Sequence, residues 1–65
     1  MQPNIALVAL PVPLDREFDY QIQDHLSPSV GGRVLVLFGR QKLVGIVTEL
    51  KNHSDVPVDK IKPII

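Results

Sequence analysis

Two short runs of branched apolar residues constrain this chain more than any other feature. They occupy residues 33–38 (RVLVLF) and 43–50 (LVGIVTEL), separated by a polar stretch of four residues that begins with Gly39. Branched and aromatic side chains favour β-strands, and a short connection that begins with glycine is typical of a hairpin. Because no window of ten or more residues shows a convincing helical period, the sequence predicts an all-β fold built around this hairpin.

Residues 5–12 (IALVALPV) are apolar on both alternating faces, as in a strand that is covered on both sides. A buried turn of helix would give the same pattern. Pro11 and Pro13 have no N–H to donate, so pairing along this stretch is predicted to be incomplete, with an edge position or an extended exit from the sheet.

Residues 14–26 support two interpretations. Apolar side chains recur at positions 14, 18, 22 and 26, and Asp15 could cap the start of a helix. In the competing pattern, Phe18, Tyr20 and Ile22 alternate with polar residues, which is the period of a strand. We favour the strand, in which Asp19 points away from the core that its two aromatic neighbours help to fill.

The remaining segments are predicted to complete a small barrel. SPSVGG at 27–32 has the composition of a turn, and Gly45 predicts a bulge, a sharp bend or a close backbone approach. A polar loop follows at 51–57, and residues 61–65 form a last extended segment in which Pro63 limits pairing. The predicted fold is all-β: about five short strands in a small, partly open barrel.

The chain of 65 residues makes one domain at most, with a small core and thin stability. Its last two residues, Ile64 and Ile65, are apolar, and their side chains would need cover. We therefore expect residues 1–65 to be a fragment of a larger protein, and the resemblance described below implies that it is the N-terminal part.

Composition argues for a binding function and against catalysis. Seven basic residues balance seven acidic ones, which disfavours a partner held along many phosphates. There is no cysteine, and neither His25 nor His53 lies in a metal-binding spacing. Residues 53–55 (HSD) cannot converge into a catalytic relay because they are consecutive, and no phosphate-binding glycine motif is present. The apolar run 5–14 is too short to span a membrane.

Three residues could carry a binding function. Asp19 could accept hydrogen bonds from a sugar hydroxyl or a base edge, or be a solvated strand aspartate or a turn cap. Gly39 could let a ligand lie against the backbone, or be a plain hairpin glycine. Lys62 could contact one phosphate, or be an exposed lysine on an edge strand. Arg40 and Lys42 at the hairpin tip could add a weak second contact.

Three segments match one known family in order and spacing. Residues 8–14 and 18–20 match V-A-L-P-x-P-L followed by F-D-Y, and 31–39 match G-x-R-V-x-V-P-F-G except that Leu37 replaces the usual proline. Gly-Ile-Val at 45–47 and Ile-Lys at 61–62 match a third segment. On these motifs the chain resembles the amino-terminal part of the bacterial PriA family, the primosomal replication-restart helicases also called primosomal protein N′.

The resemblance implies a DNA-binding module that recognises the 3′-hydroxyl end of the nascent leading strand at stalled forks or D-loops, and so targets a primosome-assembly helicase to replication restart. It implies that Phe18, Asp19, Tyr20, Gly39 and Lys62 line the pocket for the terminal nucleotide. The two aromatic residues would anchor the strand, and Asp19 would meet the nucleotide on the open side. Gly39 would admit the terminal sugar, and Lys62 would meet a phosphate.

The resemblance also implies a cellular setting. Full-length members are ATP-dependent 3′–5′ DNA helicases that use ATP, magnesium and zinc, whereas this chain has no Walker motif or zinc-binding cysteine, so we expect neither enzyme activity nor a cofactor here. The expected partners are a DNA 3′ end, the remainder of the helicase chain, other primosome proteins and single-stranded-DNA-binding protein, in the bacterial cytoplasm at the nucleoid and away from membranes. The alternative is a non-catalytic β-barrel that binds proteins; an RNA-binding barrel would carry excess basic residues.

Overall fold

One antiparallel sheet of four strands forms the framework of residues 3–65, the part of the chain that the computed structural model describes. The strands are β1 (Ile5–Ala9), β2 (Phe18–Gln21), β3 (Arg33–Phe38) and β4 (Gln41–Lys51). Their spatial order is β2-β1-β4-β3, so β2 and β3 are the two edge strands. A single turn of 3₁₀ helix at Val58–Lys60 lies in the segment after the last strand.

The predicted hairpin is confirmed as β3 and β4, although its turn is shorter than the sequence suggested. Phe38 pairs with Gln41, which leaves only Gly39 and Arg40 in the turn. Gly39 has a φ of 63°, and a two-residue turn with glycine at its first position has the twist that suits a hairpin. β4 therefore begins two residues before the predicted start and runs for 11 residues.

The sheet bends where β1 pairs with β4. The pairing register shifts between Leu7 and Val8, the mark of a β-bulge. Close by, a Cβ added to Gly45 would lie 2.9 Å from the carbonyl oxygen of Ala9 and against the side chain of Val8. The close approach predicted for this glycine is thus confirmed. β1 ends at Ala9, earlier than the predicted position 12, because the proline that follows at 11 cannot continue the ladder.

The last segment does not form the predicted fifth strand. Its only bridge joins Pro63 to Gln21, with main-chain bonds of 2.9 Å and 3.0 Å to β2. The Ile65 N–H then donates to the Leu35 carbonyl of β3 at 2.9 Å, so the segment spans both sheet edges. Pro63 has no N–H to extend the pairing, which explains the single bridge. The predicted all-β, partly open barrel is confirmed as a half-barrel of four strands that this segment partly closes.

The inner face of the half-barrel holds the core. Val8, Val36 and Val47 are fully buried, and Tyr20 and Ile64 pack with them. The outer face of the hairpin is open, because Leu35, Leu37, Val44 and Ile46 are all exposed. Among residues 3–65, no helix has the length and apolar character needed to cross a membrane.

We predict that Gly45→Ala destabilises the domain by about 1–3 kcal/mol, because the new methyl group has no room between β1 and β4. Urea unfolding followed by circular dichroism measures this loss. Val44→Ala is the matched control: its side chain points to solvent, so its cost should stay under about 1 kcal/mol. Equal stability of Gly45→Ala and the wild type would contradict the proposed close approach.

Candidate functional site

A pocket of about 290 Å³ lies beside the edge strand β2, against the end of β3 and the segment after β4. All five residues of the predicted site line it: Phe18, Asp19, Tyr20, Gly39 and Lys62. An apolar groove of the same volume lies beside Leu26 and Ile65, but Arg33 is its only charged lining residue. The pocket beside β2 is the better candidate site because it combines aromatic rings, cations and exposed backbone.

Aromatic side chains build the inner side of this pocket. The rings of Phe18 and Phe38 meet edge to face with centroids 5.1 Å apart, which is a favourable aromatic geometry. The hydroxyl of buried Tyr20 donates a hydrogen bond of 2.8 Å to the carbonyl of Leu37. This bond ties β2 to β3 across the open side of the half-barrel, and burial raises the pKa of Tyr20.

The main chain of Asp19 faces the free side of β2. Gln21 uses its N–H and C=O to bond Lys62 and Ile64, so its polar groups point away from β1. Main-chain direction alternates along a strand, and Asp19 is two residues earlier, so its N–H and C=O also point away from β1. Within residues 3–65 no main-chain partner bonds them. One donor and one acceptor are therefore open on the pocket side.

The carboxylate of Asp19 is not on the open side, where it was expected. It lies on the sheet face opposite to Phe18 and Tyr20, as alternation predicted, but a loop covers it and leaves the side chain only 9% exposed. Ser54 donates a hydrogen bond to its Oδ2. The expectation failed because the strand period fixes the face of a residue and says nothing about what later packs on that face.

Lys51 neutralises the covered carboxylate. Its Nζ lies 2.9 Å from Asp19 Oδ1, although that oxygen accepts no well-aligned hydrogen bond among the described residues. The contact is an ion pair, because Coulomb attraction does not need hydrogen-bond alignment. Burial alone would raise the pKa of Asp19, but Ser54 and Lys51 together hold that pKa below its ordinary value. The contact with Asp19 correspondingly raises the pKa of Lys51.

Gly39 fits both interpretations of the sequence. It is a hairpin glycine with positive φ, and it also borders the pocket. A Cβ added there would meet no atom within 4 Å, so open space lies over its backbone.

Two cations that line the pocket, Arg16 and Lys60, were not among the site residues predicted from the sequence. Arg16 lies over the face of Phe18, with its guanidinium carbon 4.8 Å from the ring centroid, and Lys60 joins Lys62 on the segment after β4. Three of the seven basic residues thus line one pocket of a chain with no net charge. Arg16 precedes β2 and Lys60 ends the 3₁₀ turn, so no strand period marked either residue in the sequence. Arg40 and Lys42 do not line the pocket.

No metal site accompanies the pocket within residues 3–65, where no three His, Cys, Asp or Glu side chains cluster as metal ligands. The Nε2 atom of His53 lies 3.4 Å from Oδ1 of Asp55, and both side chains are exposed.

Known proteins match the chain over most of its length. A family model described as "3'DNA-binding domain (3'BD)", of the PriA proteins, matches residues 7–65. The replication restart protein PriA of Haemophilus influenzae is 54% identical over 62 residues, or 95% of this chain. The PriA protein of Bacillus subtilis is 43% identical over 53 residues, or 78% of the chain. That of Buchnera aphidicola subsp. Acyrthosiphon pisum is 35% identical over 60 residues, or 92%.

The chain spans only 7–8% of the length of these relatives. The family model and the PriA relatives confirm, over nearly the whole chain, the resemblance that three sequence motifs indicated. The same match shows that this stretch belongs to a family described as a DNA-binding domain.

We predict that Tyr20→Phe lowers the free energy of unfolding by about 1–2 kcal/mol, because the Leu37 carbonyl loses its hydrogen-bond donor. Urea unfolding measures the loss, with Ser29→Ala at an exposed hydroxyl as the control. Tyr20 is the only tyrosine, so phenolate absorbance reports it alone. Its midpoint in the folded protein should lie above the ordinary value near 10, and a midpoint below it would contradict burial.

Proposed function

The chain belongs to the 3′ DNA-binding domain family of the PriA replication restart proteins, and on that premise we propose that it binds the 3′-terminal nucleotide of a DNA strand in the pocket beside β2. One observation carries the proposal. A single pocket gathers an aromatic wall, an unpaired main-chain donor and acceptor, an open glycine and three cations. These are the groups that a nucleotide needs for its base, sugar and phosphate.

The main chain of Asp19 supplies contacts that do not depend on base identity. Every nucleobase has hydrogen-bond donors and acceptors along its edge and a flat apolar face. The free N–H and C=O of Asp19 bond the edge of the base, while Phe18 contacts its face. Binding of this kind tolerates any terminal base, which suits a protein that must act wherever a strand happens to end.

The hairpin turn supplies the selection for a strand end. The terminal sugar packs over the backbone of Gly39, where no side chain intervenes. A pocket of about 290 Å³ is at the small end of ligand sites and holds one nucleotide. A strand that continues past the 3′ oxygen brings a further phosphate to the turn, and that phosphate is excluded by its bulk. Because Lys51 neutralises the covered carboxylate of Asp19, shape discriminates here more than repulsion between like charges.

Phosphate contacts come from the cations around the pocket. Lys62 binds the phosphate on the 5′ side of the terminal nucleotide, and Arg16 and Lys60 add at most two further contacts. One to three contacts are enough to hold a strand end without a broadly basic surface.

In the whole protein this pocket directs the longer chain to its DNA. The strand end is then the 3′-hydroxyl of the nascent leading strand at a stalled fork or D-loop, and binding there targets a primosome-assembly helicase to replication restart. ATP, magnesium and zinc belong to the remainder of that chain in this proposal. So do contacts with other primosome proteins and single-stranded-DNA-binding protein at the nucleoid.

We predict that a short single strand ending in 3′-hydroxyl binds at least about tenfold more tightly than the same strand ending in 3′-phosphate, since one excluded group costs about 1.4 kcal/mol. Fluorescence anisotropy with a 5′-labelled oligonucleotide measures both affinities. Equal affinity for the two ends would remove end recognition. Failure to bind either strand would instead favour a protein-binding barrel.

We predict that Gly39→Asn abolishes most of this binding, because its side chain enters the space that the terminal sugar needs. Asparagine tolerates positive φ better than other side chains, so the fold should survive. Gly31→Asn is the matched control. Gly31 also has positive φ and open space around it, but it lies outside the pocket, so its variant should bind like the wild type.

We predict a shallow salt dependence, with log Kd against log salt concentration giving a slope between about 0.7 and about 2 in magnitude for one to three phosphates. Lys62→Met should reduce that slope by about 0.7, whereas Lys42→Met at the hairpin, outside the pocket, should not change it. Anisotropy titrations at four salt concentrations give the slopes. A slope several times steeper would mean that the DNA is held along its backbone.

A further inference from the structure

The outer wall of the pocket belongs to a segment that few main-chain contacts hold to the sheet. Val56, Lys60 and Lys62 form this wall, which follows the end of β4 at Lys51. Within the described chain, no main-chain hydrogen bond joins residues 52–61 to the sheet. The next such bond is the one from Gln21 to the Lys62 carbonyl. A span of this kind depends on side chains for its position.

Ser54 supplies the side-chain attachment. Its hydroxyl donates to Asp19 Oδ2 and at the same time accepts a hydrogen bond of 3.1 Å from the N–H of Val56. One oxygen atom therefore joins the covered carboxylate of β2 to a residue of the pocket wall. Lys51 holds the other carboxylate oxygen, so the carboxylate itself has a fixed orientation.

We propose that Ser54 is a positioning residue for the nucleotide pocket, acting through the carboxylate of Asp19 to hold the wall against β2. The inference rests on the proposed function and deepens it. The side chain of Asp19 contributes to DNA binding by fixing the wall, while its main chain contacts the nucleotide. Asp19 thus acts through its main chain at the free edge of β2 and through its side chain on one face of the sheet.

A double-mutant cycle tests the proposal, with affinity for a 3′-hydroxyl oligonucleotide as the measurement. Ser54→Ala should weaken binding about tenfold, the loss expected for one hydrogen bond to a charged group. In an Asp19→Ala background the same change should have almost no effect, because the attachment is already gone. Ser54→Thr keeps the hydroxyl and should restore affinity. Ser29→Ala lies outside the pocket lining and should behave as the wild type.

A pH profile separates positioning from a general loss of stability. The titratable side chains near the carboxylate are Lys51 and His53, while Glu49 and Asp55 act on Lys51. Ser54 helps to hold the pKa of Asp19 down, so wild-type binding should persist as the pH falls toward about 4. In Ser54→Ala the attachment is already absent, so the part of the acid loss that follows protonation of Asp19 should disappear. An unchanged profile would overturn the positioning role.

The other outcomes are equally decisive. Wild-type affinity in Ser54→Ala, or a full loss that persists in the Asp19→Ala background, would overturn the inference and leave the proposed function standing. If the wild type itself does not distinguish 3′-hydroxyl from 3′-phosphate ends, the proposed function fails instead. Circular dichroism of each variant confirms that the affinities compare folded proteins.

Discussion

The alternation of one edge strand is the constraint on which the rest of this domain depends. Over Phe18–Gln21 it buries Tyr20 against the core and turns the carboxylate of Asp19 to the opposite face. It also directs the main chain of Asp19 away from β1, because an edge strand has a partner on one side only. One residue thereby presents backbone groups to the pocket and a side chain to the loop that forms the pocket wall.

Because the core is small, the same contacts have to serve both stability and the pocket. The domain buries few large side chains. The edge strands β2 and β3 do not pair with each other, so the half-barrel is open between them unless other contacts join them. The Tyr20 hydroxyl and the Ile65 N–H each bond a carbonyl of β3 and so narrow that gap. The Tyr20 bond joins two residues that line the pocket, Tyr20 and Leu37. This contact therefore contributes both to stability and to the geometry of the pocket.

Charge in this chain is arranged locally. The overall balance is zero, yet Arg16, Lys60 and Lys62 meet at one pocket, and the acid that lines it, Asp19, is already paired with Lys51. A neutral composition disfavours a broadly basic DNA-binding surface, but it cannot reveal a cluster that forms only when the β2 edge and the segment after β4 come together. The proposed binding at a strand end relies on such a local cluster.

By itself the sequence determined the approximate positions of four strands, the hairpin, an irregularity at Gly45 and the family, because branched residues, period-two alternation and turn glycines act over a few neighbouring positions. Resemblance to that family also named the five residues that the structure then gathered into one pocket. Only the tertiary structure decided that residues 61–65 form a bridge and not a strand, and that Ser54 and Lys51 cover the carboxylate of Asp19. Those outcomes depend on contacts between residues more than 30 positions apart, which no local pattern encodes.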